Sequence, residues 1–232
     1  MVWDFVTTVV PLKERGDSVA LNFLQIYQAS PNPPFRITRQ FLTNANMFLP
    51  LANLTEFQKA MLDPNTSATA VKNMTAERLA VGVGSNLYSP PLKPDDPEVR
   101  ALAFNFAWQD GIAAIPATIQ YLNEGLKFEV GFLETLSRSS VPATLMWGLH
   151  DTVSPVRVGN YVWETVLKPR KAVASYWLLP CANHYLVHDR PQDIPQIMRL
   201  ALGNELPSKP QNLTTDVWGS GATEQGRPAS RN

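Results

Sequence analysis

Residues 141–155 read VPATLMWGLHDTVSP, and residues 178–191 read LLPCANHYLVHDRP. In the first, an apolar run after Pro142 ends at Trp147–Gly148 and delivers an acid, Asp151. In the second, an apolar run ends at Pro180 and delivers a histidine, His184, with Pro191 beyond it. Short apolar runs bounded by turn residues predict buried strands. The 33 residues between Asp151 and His184 leave room for a turn, a crossover helix, a second strand and a short loop. Two parallel strands joined in this way place both side chains at the same sheet edge. A carboxylate beside an imidazole is the acid–base half of a nucleophile–His–acid triad, and this chain order leaves the nucleophile upstream. The plainer reading is a βαβ unit whose Asp and His only cap loops.

The composition suits an enzyme-like core. Of 232 residues, 44% are hydrophobic and 17% charged, with Lys+Arg and Asp+Glu both at 20. Zero net charge argues against a nucleic-acid or polybasic membrane surface. Three histidines and the single Cys181 exclude a Cys/His zinc cluster and an intrachain disulfide. No metal and no organic cofactor is implied. The N-terminus carries Asp4 and no Lys or Arg before its apolar residues, a poor signal peptide. No apolar stretch reaches membrane-spanning length. The expectation is a cytoplasmic protein without a membrane span. The N-x-S/T triplets at Asn53, Asn65, Asn73 and Asn212 then read as chance.

Residues 6–12 (VTTVVPL) predict a strand, 19–28 (VALNFLQIYQ) a helix stopped by Pro31, Pro33 and Pro34, and 35–42 another strand. Residues 44–140 change character and hold repeated helix starts. Thr55 and Gln58 form a capping-box pattern. Asp96-Pro97-Glu98 places an N-cap acid, a proline at the first helical position and an acid in the first turn. Asp110–Gly111 predicts a break, a helix then ends near Gly125, and another covers 127–137. Strands return at 142–147 and 174–179, and a helix at 192–202 stops at Gly203. The organisation expected is an α/β core in two pieces, 1–43 and 141–206, around a helical cap at 44–140. Residues 207–232, rich in Pro, Ser, Thr, Asn, Gln and Gly, read as a disordered tail with Trp218 a stray aromatic.

With the cap, the acid and the histidine in place, the chain resembles the α/β-hydrolase superfamily. The branch it is most similar to groups haloalkane dehalogenases, epoxide hydrolases and mesoderm-specific-transcript proteins. That branch has a nucleophile elbow G/S-H-D-x-G, often followed by D-x-V-A. The matching residues are Leu12-Lys13-Glu14-Arg15-Gly16-Asp17-Ser18-Val19-Ala20. Residues 42–50 (LTNANMFLP) resemble the sixth strand and its exit, and 108–124 the last part of the cap. Residues 147–155 and 182–191 look like the acid and histidine loops. The resemblance covers roughly 6–204. It implies the C-terminal half of an α/β-hydrolase fold: a partial parallel sheet with flanking helices and an inserted helical cap. It also implies that about half of the fold, including the loop with the second oxyanion donor, would precede residue 1. Hydrolysis would then be impaired, since losing one such donor costs about 10²–10³ in turnover.

The implied triad is Glu14, Asp151 and His184, with the backbone N–H of Arg15 as oxyanion donor. Glu14 stands where the branch has Asp, Lys13 where it has His, and Leu12 where it has a small residue. Residue 15 is Arg where dehalogenases place a halide-binding Trp. Ser18 offers a rival elbow, Gly16-Asp17-Ser18-Val19-Ala20, which would make a serine esterase. The substrate implied is a small ester, epoxide or carbon–halogen compound; the oligomeric state is open. Tyr88, Trp108 and Tyr121 are candidates to line the substrate pocket, against the plainer reading of cap core. His150 reads as a loop side chain, His188 as a surface or helix-entry residue, Asp189 as a cap for the last helix and Cys181 as small packing.

Overall fold

Parallel strands need long crossovers between them, and the apolar runs of this chain are spaced to supply them. The computed structural model describes residues 3–8, 16–206 and 216–219. Its sheet has five strands in chain order: β1 (Trp3–Thr8), β2 (Phe35–Thr43), β3 (Ala143–Gly148), β4 (Ala174–Leu179) and β5 (Asp216–Gly219). The first four run parallel, and β5 pairs antiparallel with β4. Helix α1 (Gly16–Ala29) joins β1 to β2. The first strand lies nearer the N-terminus than 6–12, and residues 9–12 fall outside the described residues.

The β2–β3 connection carries the helical segment: α2 (Glu56–Leu62), α3 (Pro64–Lys72), α4 (Ala76–Leu87), α5 (Pro97–Ala107), α6 (Ile115–Thr118) and α7 (Tyr121–Arg138). Helix α8 (Val156–Val162), extended by a π-helical stretch Trp163–Leu167, links β3 to β4. Helices α9 (Leu186–Asp189) and α10 (Asp193–Leu202) follow β4. The Thr55–Gln58 capping box forms, with both reciprocal hydrogen bonds. Asp96 does stand at the N-cap of α5 with Pro97 after it, but its carboxylate accepts from the Lys93 N–H instead of capping.

Three expectations are corrected. Gly125 does not end a helix: α7 runs through it to Arg138, because an interior glycine costs only about 1 kcal/mol and the flanking face is packed. Within the stretch read as a disordered tail, 216–219 is a strand, its backbone paired along β4 from Ser175↔Gly219 to Leu178↔Asp216. Trp218 is therefore no stray aromatic: it stands in register opposite Tyr176. Valine and tryptophan are strand formers, and the rest of β4 supplies a template.

Parallel strands covered on both faces read as continuous apolar runs, and every residue of β3 is buried. Leu145, Trp147 and Tyr176 face α1, α7 and α8, where they meet Leu21, Leu24, Leu136, Val158 and Val162. Met146, Trp177 and Leu179 face α10, meeting Ile194, Ile197 and Ala201. On β2, Ile37 and Leu42 share the first face although five positions apart. The register against β1 explains this: Phe5↔Ile37 and Thr7↔Gln40 leave one extra residue in β2, a bulge that shifts the alternation. The helical segment has its own core of Leu49, Met61, Ile119 and Leu122. Helix α7 belongs to both bodies, since Phe132, Leu133 and Leu136 on its C-terminal half join the sheet core.

Candidate active site

The β3–α8 and β4–α9 loops leave the same end of two adjacent strands and close on each other. Gly148 makes this possible. A Cβ there would lie 2.6 Å from the carbonyl oxygens of Ala182 and Asn183, so the two loops touch backbone to backbone. Hydrogen bonds from Leu149 N to Leu179 O (3.1 Å) and from His150 N to Ala182 O (2.8 Å) fasten them. The Trp147 indole, fully buried at the strand end, donates to Ser154 O at 2.8 Å and holds the acid loop from below.

Asp151 and His184 are brought together by this closure. His184 Nδ1 lies 2.9 Å from Asp151 Oδ2, with the acid side chain wholly buried and the ring 4% exposed. The other carboxylate oxygen accepts from the backbone N–H groups of Val153 and Ser154, both at 2.8 Å. Against an ionised carboxylate, which only accepts, His184 would donate from Nδ1. That tautomer leaves the ring's acceptor lone pair on Nε2, the arrangement a general base requires.

Residues that sequence reasoning did not assign complete the support. Asn44, at the exit of β2, has a left-handed backbone (φ 40°) that asparagine tolerates better than other non-glycine residues. Its amide donates to Asn183 O (2.7 Å) and His184 O (3.2 Å), and its oxygen accepts from Gly148 N (2.8 Å). One side chain thus joins three strand exits. Asn183 accepts from the His184 N–H at 2.8 Å and donates to the carbonyls of Asn86 (2.9 Å) and Tyr88 (3.3 Å) in the helical segment. The available signal was polar residues at the ends of apolar strands, in LTNAN and CANH.

Asp189 does not cap the last helix: α10 begins at Asp193 after Gln192, without a side-chain cap. Its fully buried carboxylate instead accepts from Asn183 N (2.7 Å) and Ser89 N (3.0 Å), because α9 turns it back toward the loop. Cys181 is exposed and has positive φ (57°), which places it at a turn rather than in packing. His150 is hydrogen-bonded to Ser89 Oγ at 3.2 Å, and His188 meets the Tyr88 ring edge-on at 4.7 Å.

Glu14 and Arg15 lie outside the described residues, in the connection between β1 and α1. Helix α1 begins at Gly16, so Ser18 falls inside its first turn and not at the strand-to-helix corner. The three aromatic candidates are not brought together. Tyr88 is buried against Tyr185 at 4.7 Å, next to the histidine loop. Burial pushes its hydroxyl above the ordinary tyrosine value, and the charges of Asp189 and Glu98 add to this. Tyr121 packs on the core of the helical segment. Trp108 is 60% exposed and leans on Phe104. Among the described residues, no group of three or more His, Cys, Asp or Glu could hold a metal ion. No described helix is long and apolar enough to cross a membrane.

No protein-family model matches the chain. LipZ of Mycobacterium tuberculosis, named as a hydrolase, is 27% identical over 177 residues, covering 76% of this chain and 59% of its own length. A thermophilic esterase from Thermogutta terrifontis superposes with a TM-score of 0.57 at 16% identity, over 82% of this chain and 62% of that one. A variant of the haloalkane dehalogenase DatA from Agrobacterium tumefaciens gives 0.59 at 15% identity, over 83% and 65%. A 2-hydroxy-6-oxo-6-phenylhexa-2,4-dienoate hydrolase from Rhodococcus gives 0.59 at 14%, over 81% and 61%. The chain therefore spans less than two thirds of the length of these relatives. Four parallel strands with helices on both faces and this set of structural relatives lead to one conclusion: the chain has a partial α/β-hydrolase fold.

Proposed function

We propose that this chain carries the working half of a hydrolase active site, in which Asp151 and His184 serve a nucleophile supplied by the β1–α1 connection. The observation that supports this best is the buried 2.9 Å contact between Asp151 and His184, with two backbone N–H groups fixing the acid. The nucleophile is Glu14, in the manner of the haloalkane dehalogenase and epoxide hydrolase branch. Ser18 is the weaker candidate, since α1 has already begun before it.

The chemistry follows from a carboxylate nucleophile. A Glu14 oxygen attacks an electrophilic carbon, displacing halide or opening an epoxide whose oxygen takes a proton from water, and forms an alkyl ester with the enzyme. His184 Nε2 then takes a proton from water, and the resulting hydroxide equivalent attacks the ester carbonyl. As the acyl C–O bond breaks, the imidazolium gives its proton to the departing oxygen and releases an alcohol or diol, and the regenerated Glu14 carboxylic acid loses its proton to solvent. Asp151 stabilises the imidazolium formed in that step and holds the ring in its tautomer. The oxyanion donor is the Arg15 N–H. Were Ser18 the nucleophile, an ester substrate would give an acyl-enzyme by the same proton route. The substrate is a small ester, epoxide or carbon–halogen compound, held under the cap.

One sequence observation favours a second reading, a protein that binds without catalysis. Leu12, Lys13 and Glu14 depart from the branch at three elbow positions, and a glutamate's extra methylene moves its oxygens by about 1 Å, enough to harm an in-line attack. Turnover of p-nitrophenyl acetate, an aryl epoxide and a haloalkane by residues 1–232, beside His184→Ala, separates the two. Turnover above buffer that is lost in His184→Ala supports the hydrolase. Equal rates for both proteins across all three substrates support the binding reading.

A further inference from the structure

A short segment, Asn86–Ser89, at the C-terminal end of α4 and just beyond it, ties the cap to both catalytic loops. Its backbone takes part in hydrogen bonds with both loops. Asn86 O accepts from Asn183 Nδ2 (2.9 Å) and Thr152 Oγ1 (3.1 Å), Leu87 O from Tyr185 N (3.2 Å) and Tyr88 O from Asn183 Nδ2 (3.3 Å). Ser89 N donates to Asp189 Oδ1 at 3.0 Å. The Tyr88 ring stacks on Tyr185, the residue next to His184. Leu87, Tyr88 and Val153 form a small core between the cap and the acid loop.

The same groups that grip the cap also shape the histidine loop. Asp189 Oδ2 accepts from Asn183 N at 2.7 Å while its Oδ1 holds Ser89. Asn183 Oδ1 accepts from His184 N while its Nδ2 holds Asn86 and Tyr88. Lifting the segment would leave Asp189 Oδ1 with only the longer His188 Nδ1 contact at 3.4 Å and strand the Asn183 amide, and buried polar groups are costly to leave short of partners. The loop would have to rearrange in order to satisfy them.

We propose that Asp189 and Asn183 form a clasp that makes cap seating and His184 placement one equilibrium, with both residues acting as positioning residues. This rests on the hydrolase reading of Asp151 and His184. The cap would then do more than enclose substrate: the acid–base pair is held in its working geometry only while the Asn86–Ser89 segment is docked. A substrate that requires the cap to lift would also loosen the base until the cap returns.

The test is amide hydrogen exchange and imidazole NMR on the intact chain. Tyr88→Ala perturbs the clasp from the cap side and leaves every loop hydrogen bond chemically possible. Asp189→Asn perturbs it from the loop side, keeping one acceptor and placing an NH2 against the second N–H. Tyr88→Ala is expected to speed exchange of the Asn183 and His184 amides at least tenfold and to broaden the His184 Nδ1 proton signal. Asp189→Asn is expected to speed exchange at Ser89 by a similar factor, and the double variant to add little, as for residues of one network. Exchange changes confined to the perturbed side, with an unaltered His184 signal, would overturn the clasp and leave the hydrolase reading standing. A wild-type protein without an Nδ1 proton signal that His184→Gln abolishes would overturn both.

Discussion

Replacing Asp151 in two ways separates its structural from its chemical contribution. In Asp151→Ala, three buried donors lose their acceptor: Val153 N, Ser154 N and His184 Nδ1, each now at 2.8–2.9 Å from it. Leaving one such donor unmatched costs about 1–3 kcal/mol. Loop relaxation and water entry recover part of this, so the expected loss is about 3–5 kcal/mol, as for a broken buried pair. With a urea m-value of about 2–3 kcal/mol/M, the unfolding midpoint falls by about 1–2 M. Asp151→Asn behaves differently. The amide oxygen still accepts from Val153 and Ser154, so the stability loss stays near 1–2 kcal/mol. Its NH2 then faces His184 Nδ1, and two donors cannot share that contact. The imidazole proton moves to Nε2, the tautomer that cannot act as base; in serine-protease triads this exchange costs about 10⁴ in turnover. Nitrogen-15 NMR of the ring reads the tautomer directly. A proton that stays on Nδ1 in Asp151→Asn, or a loss under 1 kcal/mol in Asp151→Ala, refutes the reasoning.

Gly148→Ala should push the acid and histidine loops apart, since its Cβ would sit 2.6 Å from two carbonyl oxygens against an ordinary contact of 3.4 Å or more. A stability loss of about 1–3 kcal/mol with a weakened Asp151–His184 proton signal is the outcome to look for by urea unfolding and NMR, and unchanged values would count against it. Alkaline pH should release the cap. The folded protein holds Tyr88 neutral beyond the ordinary value of 10, so the open state loses that proton first and docking weakens as pH rises above 10. Exchange at Ser89, corrected for its base-catalysed intrinsic rate, should therefore rise less steeply with pH in Tyr88→Phe; identical profiles refute this. Arg39 and Arg170 are buried together at the opposite end of the sheet. Arg170 donates from its Nη atoms to the carbonyls of Leu136, Val141 and Val173, whereas Arg39 makes one such bond, from Nη2 to Asn204 Oδ1 at 3.1 Å; among the described residues Arg39 Nη1 and Arg170 Nε have no partner. Burial, then the charge of Arg39, lowers Arg170 to about 10. Arg39→Met should be neutral or stabilising by about 1–2 kcal/mol and Arg170→Met destabilising, as read by urea midpoints.

The strands and the acid–histidine pair were legible because their signals are local. Apolar runs closed by Gly148 and Pro180, each followed by a titratable residue, specify the strands and bring Asp151 and His184 to one edge of the sheet. The helices between β2 and β3 could be read from Thr55–Gln58 and Asp96–Pro97 for the same reason. What escaped was long-range. Nothing near Asn44 announces that it will bridge Gly148 and His184, since those partners lie more than a hundred residues away. Asp189 looked like a helix cap because acids often are; only the turn of α9 aims it at Ser89 and Asn183. Helix α7 continues through Gly125 because burial of Leu122, Phe132 and Leu136 along one face outweighs the glycine's local preference.

If His184 serves a carboxylate nucleophile at Glu14, the covalent intermediate can be trapped. His184→Gln lacks the base for the second step, so an epoxide or haloalkane should accumulate as an ester on the enzyme. Intact-mass and peptide mass spectrometry of that variant should find one substrate equivalent on Glu14, absent from Glu14→Gln and short-lived in the wild type. An adduct on Ser18, or turnover by the wild type with no adduct on Glu14 in His184→Gln, contradicts the claim.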